Sequence, residues 1–98
     1  MTALDNYKEP KRIYAEALKQ LSEGKGKERH AKGEPFEEQL MMLATGMVGV
    51  GGPLFQAIKK AVESQRLPYP RNVNELYGAM NYLVGAVLEY EKYPKKEL

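Results

Sequence analysis

The chain contains no cysteine, no tryptophan and a single histidine, His30. The first absence excludes disulfide staples, zinc–thiolate sites and thiol nucleophiles, and one histidine cannot build a histidine-rich metal site. Long apolar runs are missing as well. Nothing approaches the roughly 18–20 consecutive apolar residues that a membrane span needs, and residues 1–8 lack the apolar core of a signal peptide. A cytoplasmic protein with no membrane partner is the expectation. Charge of one sign is also lacking. Fifteen basic side chains stand against 13 acidic ones, a net charge of +2, so no strong field is present to hold duplex nucleic acid and no recognition helix is evident. β-Branched residues are sparse beside Ala, Leu, Met, Glu, Lys and Gln, a mixture that favours helix.

What is there makes one domain, residues 1–98, of a size that hides roughly 60–65% of the surface its unfolded chain exposes. A hydrophobic share of 43% is too high for a disordered chain. Residues 46–53 (GMVGVGGP) hold four of the nine glycines, end on a proline, and lie between two of the most apolar segments. The chain is expected to bend there.

Four helices are predicted around that bend. The first lies within residues 5–22. Ile13, Tyr14, Ala17, Leu18 and Leu21 form its apolar face, with Pro10 near its start and Gly24 as its stop. Residues 24–34 (GKGKERHAKGE) are a basic polar loop. Pro35 is read as the opening residue of the second helix, whose stripe of Phe36, Leu40, Leu43, Ala44 and Met47 is widened by Met41 and Met42. A helix apolar over more than half its circumference is central or shared with another subunit. The third helix, residues 53–66, is expected to turn Leu54, Phe55, Ile58, Ala61 and Val62 inward. Residues 67–71 (LPYPR) form a proline-rich connector. The fourth helix starts at Asn72 with Glu75 in capping-box spacing and carries Val73, Leu76, Tyr77, Met80, Leu83, Val84, Val87 and Leu88 toward Tyr90. Gly78 and Gly85 on this helix mark close approach of another backbone.

Three sets of residues carry candidate chemistry. Gly51 and Gly52, ahead of a helix, offer backbone N–H groups to an anion, although Pro53 removes one donor and a plain kink explains the same glycines. Lys25, Lys27, Arg29 and His30 are suited to a phosphate; a solvated loop is the alternative. Seven tyrosines against two phenylalanines is a skewed choice. Tyr69, Tyr7 and Tyr14 suit stacking on a base while Arg66 and Arg71 hold phosphate, and ordinary surface tyrosines are the alternative.

The stretch Glu75-Leu76-Tyr77-Gly78-Ala79-Met80-Asn81-Tyr82-Leu83 resembles the last metal-binding helix of the all-helical, MazG-like nucleoside triphosphate pyrophosphohydrolases. That resemblance implies magnesium among Glu37, Glu38, Glu63 and Glu75. Gly78 stands where that family places an aspartate, and Met41 and Met42 where a further glutamate is expected. In size, helical layout and basic–aromatic loops the chain also looks like the small helical phage proteins that sequester cyclic-nucleotide signals of bacterial defence. The likeness carries over no site residue. The expectation is therefore an all-α, four-helix homo-oligomer, by default a symmetric dimer, with a helical hairpin at residues 46–53 and the last helix packed along it. It is read as a non-enzymatic module, without metal or cofactor, that binds a phosphorylated small molecule such as a nucleotide at subunit interfaces. A pyrophosphohydrolase and a ligand-free protein-interaction subunit are the alternatives.

Overall fold

The computed structural model describes residues 3–23 and 33–92, and these are all helix and connector. A 3-10 turn, Ala3–Tyr7, leads into α1, Lys8–Glu23. Pro10 falls in the first turn of α1, where a missing N–H leaves no intrahelical bond unmade. The Gly24 stop and most of the basic loop lie outside the described residues. A second 3-10 turn, Phe36–Glu38, precedes α2, Leu40–Val48. Then come α3, Gly51–Ser64, and α4, Arg71–Glu91. Among the described residues no single helix is long and apolar enough to cross a membrane.

Pro35 does not open α2. Its carbonyl accepts the Glu38 N–H at 2.9 Å within the 3-10 turn, and Gln39 then takes an extended conformation, φ −75° and ψ 162°. That residue cuts the turn from the helix, which begins one residue later. The break between α2 and α3 is also shorter than residues 46–53, because Gly46 is helical and Gly51 already belongs to α3. Only Gly49 and Val50 intervene, and the axis swings through 113°. Gly49 makes this corner with φ 91° and ψ 174°, a conformation essentially reserved for glycine. The bend is thus an open corner and not a hairpin.

The closely packed antiparallel pair is α3 with α4, the most extensive contact in the fold. The connector explains it. The last turn of α3 tightens through Arg66 N–H to Glu63 at 3.0 Å, and two prolines then prevent further helix. α4 does not use the Asn72–Glu75 capping box. It starts at Arg71 with Pro70 at the cap position and no side-chain cap, and Asn72 Oδ1 accepts the N–H of Val73 at 2.8 Å instead.

Helix facing differs most from the sequence expectation. α3 buries Pro53 and Ala57 and leaves Phe55 63% and Ile58 65% exposed. α4 buries Gly78, Ala79, Asn81, Gly85, Ala86 and Glu89, while Leu76, Leu83, Val84, Val87 and Tyr90 face out. α2 buries Met42 and Thr45 but exposes Leu43 and Met47. Among the described residues, the buried hydrophobic side chains are four alanines and one methionine. Large side chains, which contribute about 1.5–3 kcal/mol each when fully buried, are mostly on the outside.

The small interior follows from close approach at the two α4 glycines. A Cβ at Gly78 would lie 3.0 Å from Lys60 Cδ, and one at Gly85 would lie 2.8 Å from Met41 Cε. Side chains, not another backbone, fill those spaces. α1 joins α4 through a buried hydrogen bond from Asn81 Nδ2 to the carbonyl of Ala17, 2.9 Å.

The corner yields a contrast between neighbouring glycines. Gly49→Ala should cost about 1–3 kcal/mol, since it forces a Cβ into a backbone region closed to it. Gly51→Ala meets nothing within 4 Å and sits in a helical turn, so it should be neutral or stabilising by up to ~1 kcal/mol. Urea unfolding of both variants checks the difference.

Candidate ligand site

The C-terminal turns of α1 lie against the N-terminal half of α4, and the two enclose an open cleft of about 260 Å³. Glu16, Lys19, Gln20 and Glu23 line it from α1, and Asn74 and Tyr77 from α4. Their spacing is the reason they meet. Residues 16, 19, 20 and 23 recur on one face of α1, and 74 and 77 are one turn apart on α4. The lining carries both charges and one phenol. It suits a ligand with polar groups and a planar part better than a purely apolar one.

The expected site residues divide into three groups. Arg66, Tyr69 and Arg71 are exposed in the connector and at the start of α4. Arg71 is one helical turn from Asn74 of the cleft. Lys25, Lys27, Arg29 and His30 lie outside the described residues. Gly51 and Gly52 are elsewhere. The 14 residues of α3 separate them from the connector by ~20 Å, so one chain does not bring them to the same ligand. Tyr7 and Tyr14 are exposed.

Backbone donors at the two helix starts are largely engaged. The N–H of Gly52 donates to Gly49 at 3.1 Å, and Pro53 has none to offer. On α4 the N–H groups of Asn72 and Asn74 donate to Pro68 and Pro70 at 3.1 and 3.0 Å. Any anion held near the cleft therefore depends on side chains, chiefly guanidinium and ammonium groups, rather than on a helix terminus.

Among the described residues no three carboxylate or imidazole groups come together in a way that could hold a metal ion. Glu37 and Glu38 are exposed on the 3-10 turn, and Glu63 has Lys59 at 3.8 Å. Glu75 Oε1 has Lys60 at 3.6 Å, while its Oε2 is buried without a hydrogen bond. Glu89, also buried, has Lys92 Nζ 3.2 Å from Oε1 at an angle that makes no hydrogen bond. Away from the cleft, Glu9 accepts a hydrogen bond from Arg12 Nε at 3.1 Å. That bond first, and the carboxylate charge second, raise the guanidinium above its ordinary value.

Lys19, Gln20 and Asn74 were not singled out from the sequence, and Tyr77 was read as part of an apolar stripe rather than of a site. The polar run at 16, 19, 20 and 23 was the available signal, but nothing in the chain indicates which helix that face meets. Lys60 is the other unforeseen residue. Its stem covers Gly78 while its ammonium group faces Glu75, so one side chain fills the glycine gap and balances the carboxylate. Lys60→Ala should destabilise the fold by about 1–3 kcal/mol, because it empties the gap and leaves a half-buried carboxylate alone. Combining Lys60→Met with Glu75→Gln should recover most of that loss in urea unfolding.

Compared with known protein families, curated proteins and solved structures, the chain finds no match.

Proposed function

We propose that this chain is a non-enzymatic binding module that works as a homo-oligomer and holds a phosphorylated small molecule, a nucleotide in the first instance. The observation that supports the reading is that Arg71, in the first turn of α4, is one helical turn from Asn74 of the cleft between α1 and α4, and the connector leading into it exposes Arg66 and Tyr69. Guanidinium groups bind phosphate in a charge-assisted, bidentate way, and tyrosine rings stack on bases. The cleft volume of about 260 Å³ is just below the ~300–1,000 Å³ of typical small-molecule sites, so one chain supplies part of a pocket that a neighbouring subunit completes.

The resemblance in size and helical layout to small phage proteins that sequester signalling nucleotides, read from the sequence alone, makes cyclic nucleotides the first ligands to test. Nothing in this geometry favours the pyrophosphohydrolase alternative, since Glu75 faces Lys60 and the position expected to be aspartate is a glycine packed under the lysine stem. A protein-interaction subunit without a small-molecule ligand is the second reading. The extent of apolar side chain left outside α2, α3 and α4 favours it.

Native mass spectrometry with a mixed pool of mono-, di- and cyclic nucleotides tests the two together. Nucleotide should add in a fixed ratio to subunits and be recovered intact. Arg71→Ala and Tyr69→Ala should each weaken binding about tenfold, ~1.4 kcal/mol, while Lys59→Ala leaves it unchanged. Oligomers that gain no mass at any nucleotide concentration would sink the ligand and leave the interaction subunit.

A further inference from the structure

The outer face of α4 has a regular pattern of its own. Val73, Leu76, Met80, Leu83, Val87 and Tyr90 follow one another at intervals of 3, 4, 3, 4 and 3 residues. This is the heptad seam of paired helices, with Val73, Met80 and Val87 at a and Leu76, Leu83 and Tyr90 at d. Leu83 is 47% exposed, Val87 54% and Tyr90 57%, so the chain's own helices leave much of the seam uncovered. The opposite face of α4, with Gly78, Asn81, Gly85 and Glu89, is buried against the rest of the fold. Both faces of one helix are thus patterned for packing, and only one has its partner.

We infer that a second copy of this chain covers the seam, α4 against α4, antiparallel about a two-fold axis between Met80 and Leu83. The inference deepens the self-association half of the proposed function and does not depend on the ligand.

Three observations select a second copy. First, the residues outside the described ones offer few apolar side chains to cover it. Residues 1–2, 24–32 and 93–98 contribute only Met1, Ala31, Tyr93 and Leu98 as apolar side chains, apart from one proline. Second, the seam is complementary to itself. The antiparallel layers set Val73 opposite Tyr90, Leu76 opposite Val87, and Met80 opposite Leu83 of the other copy, so two of the three pairings match a larger side chain with a smaller one. Third, no a or d position from 73 to 90 carries a charge, so a copy meets no like charge along ~27 Å of helix.

The flanks decide direction. On one side of the seam Val84 is exposed and Tyr77 half-exposed, whereas on the other Ala79 and Ala86 are buried within the chain's own fold. An antiparallel pair brings the open flanks together, placing Val84 beside Tyr77 of the second copy. A parallel pair would set each open flank against a closed one and leave Val84 without an apolar neighbour. A two-fold axis also makes the interface isologous, the usual closed form for a homo-oligomer.

Light scattering after size exclusion reads the subunit number, and the full chain is used throughout. The wild-type protein should be a dimer or an even-numbered assembly. Leu83→Lys and Val87→Lys, each at an exposed position, should halve the mass or reduce it to that of one chain with helical circular dichroism unchanged. The absence of native cysteine permits a direct test of direction. On addition of a mild oxidant, a mixture of Leu76→Cys and Val87→Cys should form the mixed disulfide dimer, and neither variant alone should form much dimer. A wild-type monomer, a mass untouched by Leu83→Lys, or efficient self-crosslinking of the single variants would each overturn the inference; so would a monomer that binds lipid vesicles through this face. A monomer that still binds nucleotide would remove this pairing alone, and a dimer that binds none would remove only the ligand.

Discussion

The inner face of α4 has almost no large side chains, and the rest of the fold is arranged by that constraint. Gly78 lets the stem of Lys60 lie flat between α3 and α4, and Gly85 does the same for the Met41 methyl group of α2. Neighbouring helices therefore come close, and the space between them is filled by alanine, glycine and the flexible stems of lysine and methionine. Such an interior gains much from dispersion contacts and little from burying hydrocarbon area, because alanine has little area to bury. The hydrocarbon that remains is on the opposite faces. A helix that bears leucine, valine and tyrosine at heptad spacing on its exposed face is suited to being covered, and the proposed antiparallel pairing would provide that cover from the same sequence.

The polar groups are subject to the same geometry. Lys60 faces Glu75 because the glycine beneath its stem holds it there, so a residue that looked like a metal ligand is instead part of the α3–α4 contact. Asn72 stands where a helix cap was expected and uses its side-chain oxygen on the next residue's N–H. With most backbone donors at both helix starts occupied by local bonds, the proposed ligand would be held by exposed side chains of the connector rather than by a helix terminus.

Much of the fold was legible in the chain. Apolar periodicity located all four helices, and the two prolines of residues 67–71 located the connector. Gly49 makes the corner inside the stretch that composition picked out. The errors share a cause. Periodicity reveals that Phe55, Ile58 and Val62 share a stripe, but not whether the stripe turns to its own chain or to another, and here the larger stripes turn outward. Pro35 looked like a helix start because proline suits the first helical position, yet the extended conformation of Gln39 is not encoded by any strong local signal. Of the cleft, the lining residues Lys19, Gln20, Asn74 and Tyr77 were not legible as a site, and Arg66, Tyr69 and Arg71, expected from their connector, are exposed but not part of its lining. The proximity of the lining residues depends on how α1 lies on α4, a relation between helices that no window of sequence contains.

That relation depends heavily on one buried bond. Asn81 Nδ2 donates to the carbonyl of Ala17 at a buried position, and the bond joins residues 64 positions apart. A slide of α1 along α4 by a single residue, ~1.5 Å, would draw the carbonyl away and leave the buried amide without that partner. Apolar contact alone would tolerate such a slide, since alanines pack much alike at neighbouring offsets. The amide makes the pairing discrete: α1 can sit in one register or detach, with no graded set of positions between. Where Lys19 and Gln20 stand opposite Asn74 and Tyr77 is consequently fixed as a matter of register, by a bond that lies below the cleft and takes no part in its lining.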